Sequence, residues 1–372
     1  MKKVLFLINT LCSGGAEKVL ADLVNNLPRD KYDITLQTVD DRGVYQKKLK
    51  EFVHYKTINK KKGLIGRLRI DFLTYFASPK YIYNKYVKDD YDIEIAFLEG
   101  LPTKIISRST NKKSKKIAWV HIDLMSDFGS LDVYKNFSEN KKAYEKFDGI
   151  ACVSDDVKDN FLMRFGDIGV KTDTVYNVVL DDEIREKGNE GVPGIAHDAP
   201  IICASGRLSA VKGFDRLLNI HKRLINEEIK NYLMIMGEGE LKKQFEDFIC
   251  ENNLSDTATL LGYKENPYKY MKQADLFVCS SLAEGYSTVI TESVILGVPV
   301  VSTCAAGAKE PKEHVRCYKI TENNEESLYI AIKELLTNKN ELRKAKEYTK
   351  SISGYFKKEI YLKNIVDFLE NV

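Results

Sequence analysis

Short apolar or β-branched runs recur along the chain at 3–9, 34–39, 93–98, 117–121, 149–153 and 174–179, and again at 201–205, 232–236, 258–261, 275–279 and 299–302. Each is followed by a longer segment in which apolar residues return every three or four positions, the spacing of a helix with one buried face. Strands that alternate with helices in this way pair in parallel, so the pattern predicts two doubly wound α/β domains. Between the two sets, residues 181–200 collect charge, glycine and proline and read as a linker between domains at 1–180 and 201–354. The last segment, 355–372, alternates charge and bulk at helical spacing and is expected to pack back towards the first domain.

Length agrees with two cores, since 372 residues exceed what one usually organises. The seven cysteines are scattered and form no CxxC pair, which argues for a reducing, cytoplasmic setting rather than for disulfides or zinc. The apolar run after Met1 stops too soon for a signal peptide, and no stretch of about twenty apolar residues occurs that would span a bilayer. The net charge of +3 hides a division: residues 1–180 carry 31 Lys and Arg against 24 Asp and Glu, and residues 42–88 alone hold 13 basic and two acidic side chains. One domain therefore has a strongly basic sector.

Ligands of open α/β sheets lie beyond the carboxyl ends of the strands, so chemistry is sought just after them. After the first run come Gly14 and Gly15 and a helical pattern through Val19, Leu20 and Leu23. Paired glycines let a phosphate or sugar approach the backbone, although a tight turn without a ligand would use them equally. After 201–205 stand Arg207 and Lys212, two cations placed to compensate a departing diphosphate, or else a solvated surface pair. After 275–279 the sequence Ser280-Ser281-Leu282-Ala283-Glu284-Gly285-Tyr286-Ser287-Thr288-Val289-Ile290-Thr291-Glu292 turns at Gly285 and enters a helix. Its amino end suits phosphate, and its carboxylates suit hydroxyl groups. The same two glutamates are also compatible with a hydrolase acid/base pair or with simple compensation of a helix end.

Taken in order, GGAEKVL, GRLSAVKGFDRLL, MGEGELKK, LGYKENPYKYMKQADLFVCSS and EGYSTVITESVILGVPVV make the whole chain resemble the retaining glycosyltransferases of family four, which have the GT-B fold of two facing Rossmann-like domains. The resemblance implies donor binding by the second domain and acceptor binding by the first. Glu292 would hold ribose hydroxyls, Glu284 would face the sugar, and Arg207 and Lys212 would grip the diphosphate. The amides of Tyr286, Ser287, Thr288 and Val289 would meet sugar or phosphate, with Gly14, Gly15 and Gly237 lining the same cleft and Tyr263 and Lys264 flanking the base. His121 would stand near the reacting sugar. One departure is Val178, which follows Asn177 where relatives commonly have glycine.

The expected reaction is metal-independent transfer with retention, from a UDP-linked or other nucleotide-diphosphate sugar to a saccharide acceptor, lipid-linked in the assembly of bacterial surface glycans. No cofactor is expected beyond that co-substrate, and no metal. The triplet Asp90-Tyr91-Asp92 precedes its strand and so lies at the wrong rim for a DxD metal site. Residues 60–87 mix lysine and arginine with Leu64, Ile65, Leu68, Phe72, Leu73, Phe76, Tyr81 and Tyr83, a composition compatible with an anionic membrane surface or with an ordinary helix whose basic face is solvated. No nucleic-acid motif accompanies it. A nucleotide-sugar epimerase or hydrolase on the same fold and a non-catalytic partner subunit remain as other readings.

Overall fold

The computed structural model describes residues 1–12, 14–125, 132–191, 198–305, 307–311 and 314–372. They form two compact units, one of Met1–Val178 with Glu359–Val372 and one of Val179–Lys358.

In the first unit, strands β1 (Lys2–Ile8), β2 (Tyr32–Asp40), β3 (His54–Asn59), β4 (Ile93–Ala96), β5 (Lys115–Val120), β6 (Gly149–Cys152) and β7 (Lys171–Thr174) make a sheet in the order β3-β2-β1-β4-β5-β6-β7. Every neighbouring pair is parallel. β1 is buried on both faces from Val4 to Ile8, which is why it reads as a continuous apolar run. The helix Lys358–Asn371 belongs to this unit: Phe368 meets Trp119 edge-on at 6.4 Å, and Glu370 accepts from Lys2 Nζ at 2.5 Å and from the Tyr32 hydroxyl at 2.6 Å.

In the second unit, β8 (Ile201–Ser205), β9 (Tyr232–Met236), β10 (Ala258–Gly262), β11 (Leu276–Cys279), β12 (Val300–Thr303) and β13 (Lys319–Thr321) are ordered β10-β9-β8-β11-β12-β13, again all parallel. The doubly wound expectation holds in both units. In each the order reverses once, between β1 and β4 and between β8 and β11, the point at which open α/β sheets usually take their ligands.

Three strands differ from the sequence reading. β3 and β13 have no counterpart among the apolar runs, and β7 covers 171–174 rather than 174–179. Part of the supposed linker is also ordered: Asp181–Gly188 is a helix of the second unit. Buried Asp181 accepts from Lys357 Nζ at 3.1 Å and from the Lys358 amide at 2.9 Å, while Arg185 donates to the carbonyls of Ile295 at 2.9 Å and Ser353 at 2.8 Å. The charges that suggest a solvated linker are thus used to seat a helix, and the unit boundary falls at Val178/Val179. The remainder of that stretch, 192–197, lies outside the described residues.

Candidate active site

At the reversal of the second sheet stand the loops that follow β8 and β11. Gly206 and Arg207 leave β8, a short turn spans Ala210–Lys212, and Gly213 takes a left-handed φ of 60° before the helix Phe214–Asn226. A side chain at Gly213 would come within 2.3 Å of the Ser280 carbonyl, so the two loops touch only because this residue is glycine. The contact is reinforced by Ser280 Oγ donating to the Lys212 carbonyl at 2.9 Å and the Leu282 amide donating to the Val211 carbonyl at 2.8 Å.

Lys212 and Glu284, brought by different loops, meet there. Lys212 Nζ lies 2.5 Å from Glu284 Oε1, and Ser281 Oγ donates to the same oxygen at 2.6 Å. Burial pulls the Lys212 ammonium towards losing its proton, but the charge of Glu284 and its hydrogen bond outweigh this, and the pKa ends above the ordinary lysine value. The sequence reading gave both cations to a diphosphate. In the structure Lys212 is paired with Glu284, and exposed Arg207, whose guanidinium makes no hydrogen bond among the described residues, adds a second cation beside that pair.

The loop after β11 runs into the helix Thr288–Ile295, whose cap residue Ser287 makes no side-chain hydrogen bond to the helix. Asn136, Ser154 and Asn324, by contrast, close their helices with side-chain oxygens. The amides at the start of Thr288–Ile295 are therefore left without that internal acceptor, the arrangement that binds anions. Val289 lies in the first turn, and Glu292 one turn further is buried and receives the Tyr268 hydroxyl at 3.4 Å. Gly237, with φ of 143°, passes so close to Gly206 that a Cβ would sit 1.8 Å from its carbonyl oxygen, which joins the loop after β9 to the one after β8. Tyr263 is 43% exposed just past β10, two strands from β8.

Sequence reasoning missed what holds this loop in place. Arg316 is completely buried and donates to the carbonyls of Glu310 at 2.7 Å, Ser287 at 2.7 Å and Gly307, and to Thr291 Oγ1 at 2.8 Å, while its guanidinium stacks on Tyr286 at 3.9 Å. Arg216, also buried, grips the carbonyls of Ser280 and Ser281 from below. Arg216 lies within GRLSAVKGFDRLL, where the sequence reading points only to Arg207 and Lys212, and Arg316 stands in no motif, so their contacts with the loop are what reveal them.

In the first unit, Gly14 and Gly15 open the helix Gly15–Asn26, again without a side-chain cap. The Glu17 carboxylate folds back to within 2.1 Å of where a Gly14 Cβ would be, whereas Gly15 has open space around it. His121 follows β5. Its amide and that of Ile122 donate to Glu99 Oε1, the latter at 3.0 Å, and its ring packs on Phe97 at 4.6 Å. Burial pushes the imidazole down to about 3, so it is neutral, and its Nε2 has no partner among the described residues. Val178 does not adopt a left-handed backbone, so nothing in its conformation calls for glycine. Asp92 binds the Lys3 amide at 2.7 Å at the amino end of the sheet, away from the strand ends that carry the other residues.

Two doubly wound parallel-sheet domains in one chain are the architecture of the GT-B fold. Residues 186–352 match the family described as "Glycosyl transferases group 1". An uncharacterized glycosyltransferase of Methanocaldococcus jannaschii is 31% identical over 216 residues, 56% of this chain and 53% of that one. The N-acetylgalactosamine-N,N'-diacetylbacillosaminyl-diphospho-undecaprenol 4-alpha-N-acetylgalactosaminyltransferase of Campylobacter jejuni is 28% identical over 357 residues, 93% of each chain. Among solved structures, Anabaena HepE in complex with UDP-glucose superimposes with a TM-score of 0.77 at 18% identity over the whole of both chains. The second unit thus carries the match to the group 1 glycosyltransferases, and the chain as a whole has the GT-B fold.

Proposed function

We propose that this enzyme moves a hexose or N-acetylhexosamine from a UDP-linked sugar to a lipid-linked saccharide acceptor in the assembly of a bacterial surface glycan, with retention at the anomeric carbon and without a metal ion. The observation that carries the reading is the meeting, at the reversal point of the second sheet, of the uncapped helix end at Thr288, the Lys212–Glu284 pair and the exposed cation Arg207. Amides of Tyr286, Ser287, Thr288 and Val289 receive the diphosphate, Arg207 and Lys212 compensate its charge as the glycosidic bond breaks, and Glu292 takes ribose hydroxyls. Glu284 orients Lys212 with one oxygen and offers the other to a sugar hydroxyl. Gly237 keeps the floor low, and Tyr263 and Lys264 flank the base. The first unit handles the acceptor, Gly14 and Gly15 beyond its first strand meet the donor, and a neutral His121 beside the reacting sugar fits contact with its hydroxyls rather than with phosphate.

In the reaction the acceptor oxygen bonds to the anomeric carbon on the face that the diphosphate leaves. The electron pair of the broken bond and the acceptor's proton both go to the departing phosphate oxygen. The name of the Campylobacter relative supports a lipid-linked acceptor, and the ligand of the Anabaena structure supports a uridine donor. Incubation with a panel of nucleotide sugars and an undecaprenol-diphosphate-linked saccharide, with NMR of the fresh product, tests the proposal. The expected outcome is a product with the donor's anomeric configuration, formed equally in EDTA. An inverted product, or activity lost to EDTA and restored by Mg²⁺, overturns stereochemistry or metal independence respectively. Free sugar released without acceptor favours the hydrolase.

A further inference from the structure

The helix Gly63–Asp71 continues without a break through a wider turn, Phe72–Phe76, closed by the Ala77 amide on the Phe72 carbonyl at 2.9 Å. At about 100° per residue, Leu64, Ile65, Leu68, Phe72, Tyr75 and Phe76 fall in a single arc of roughly 120°. In a water-soluble protein such a stripe faces the core. Here it faces out: Leu64 is 71% exposed, Ile65 69%, Phe72 55% and Phe76 78%. The core contact is made from another side of the helix, by Gly66, whose Cβ would collide with the Lys61 carbonyl at 2.2 Å, and by Leu73. The choice of face is therefore fixed by packing.

Around this apolar face stands positive charge. Lys60, Lys61, Lys62 and Arg67 on the helix and its approach, and Lys80, Lys85 and Lys88 on the segment that follows, are all exposed, and on the helix only Asp71 opposes them. Tyr81, 48% exposed, accepts a hydrogen bond from Lys85 at 2.7 Å and continues the amphipathic rim. An outward apolar stripe, aromatic residues at one end and a cationic border are the chemistry of a helix lying in the interface of an anionic bilayer, with its side chains among acyl chains and its lysines at the headgroups. A second copy of this chain would bring the same positive border against itself, so charge complementarity favours lipid over self-association. No helix among the described residues is long and apolar enough to cross a membrane, and the docking is to one surface.

We infer that residues 63–76 insert as a monotopic helix into the surface of an anionic phospholipid membrane. The inference goes beyond electrostatic contact with headgroups. It stands on the surface itself and not on the reaction assigned above, so its test needs no turnover. The full chain is floated with vesicles of phosphatidylglycerol and phosphatidylcholine or of phosphatidylcholine alone. Binding is expected to the anionic vesicles, to fall about tenfold or more in the double variant Phe72→Ser, Phe76→Ser, and to fall also in Lys60→Gln, Lys61→Gln, Lys62→Gln. The single tryptophan, Trp119, is buried, so a Phe76→Trp variant adds a probe whose emission shifts to the blue on anionic vesicles if the helix inserts. Absence of flotation at low salt overturns the inference. So does binding that Phe72→Ser, Phe76→Ser leaves intact, with no blue shift in the Phe76→Trp variant, which would mean headgroup contact alone. Sedimentation showing a dimer that the double serine variant dissociates would assign the face to a second copy instead. Unchanged urea unfolding of the variants separates loss of docking from loss of fold.

Discussion

Lys212 is held in its charged form by a partner that is itself part of the site, and this sets what substitution does. With Arg or Met in its place, Glu284 loses or misplaces the cation it was arranged around, because a guanidinium is broader and an apolar stem carries no charge. Lys212→Ala is expected to lower kcat by about 10² to 10³ with a smaller change in donor KM, since compensation of the leaving diphosphate is needed most in the transition state. Steady-state kinetics with saturating acceptor check this, and wild-type kcat would refute the role. His121 makes a different prediction, about pH. Its folded pKa of about 3 lies below the ordinary value of 6.5, so the unfolded chain takes up a proton between those values that the folded chain refuses. Its contribution to stability is complete above about pH 6.5 and is lost as pH falls towards 3, at up to about 1.4 kcal/mol per pH unit. His221, lowered by burial to about 4, adds a loss of the same sign. Urea unfolding at about pH 7.5 and about pH 5.5 should show wild type losing more stability than His121→Gln, and equal losses would contradict the neutral buried imidazole.

At the scale of elements, the loop between β11 and its helix depends on Arg316. Arg316→Met keeps volume but leaves three carbonyls without their donor, and an overall loss on the order of 3 kcal/mol is expected in denaturant unfolding. UDP affinity should fall with it although Arg316 itself is covered, and an unchanged unfolding midpoint would show that the loop stands without it. The elements differ in how far the sequence betrays them, for a physical reason. Interior strands such as Val300–Thr303 are covered on both faces and announce themselves as apolar runs. His54–Asn59, Lys171–Thr174 and Lys319–Thr321 all lie at sheet edges, where polar side chains protect unpaired backbone, so they carry little periodic signal. Glu284, Lys212 and the helix start at Thr288 are visible in the sequence because their positions just after strands fix where they must lie. The pairing of Lys212 with Glu284, and the grip of Arg216 and Arg316, depend on loops far apart in sequence and so leave no local trace. The helix at 63–76 has an apolar stripe in the sequence, but only packing decides that the stripe faces outward.

For the molecule as a whole, two sheets of like topology each reverse strand order once, with Gly14 and Gly15 beyond β1, and Arg207, Lys212 and Glu284 beyond β8 and β11, at those reversals, while His121, Gly237 and Tyr263 follow strands further out. The duplication of architecture is accompanied by a division of charge, with a basic excess in residues 1–180 and an acidic one in residues 181–372, which suits a first unit that meets an anionic surface. In the second unit the proposed receiver of the leaving nucleoside diphosphate is the amino end of Thr288–Ile295, with Arg207 and Lys212 beside it. The position of UDP bound to a crystal of this chain tests that claim most directly. The account predicts the β-phosphate within hydrogen-bond distance of amides between Tyr286 and Val289, with the Arg207 guanidinium turned onto it and the ribose hydroxyls at Glu292. A diphosphate bound elsewhere, with that helix end facing only solvent, would contradict it.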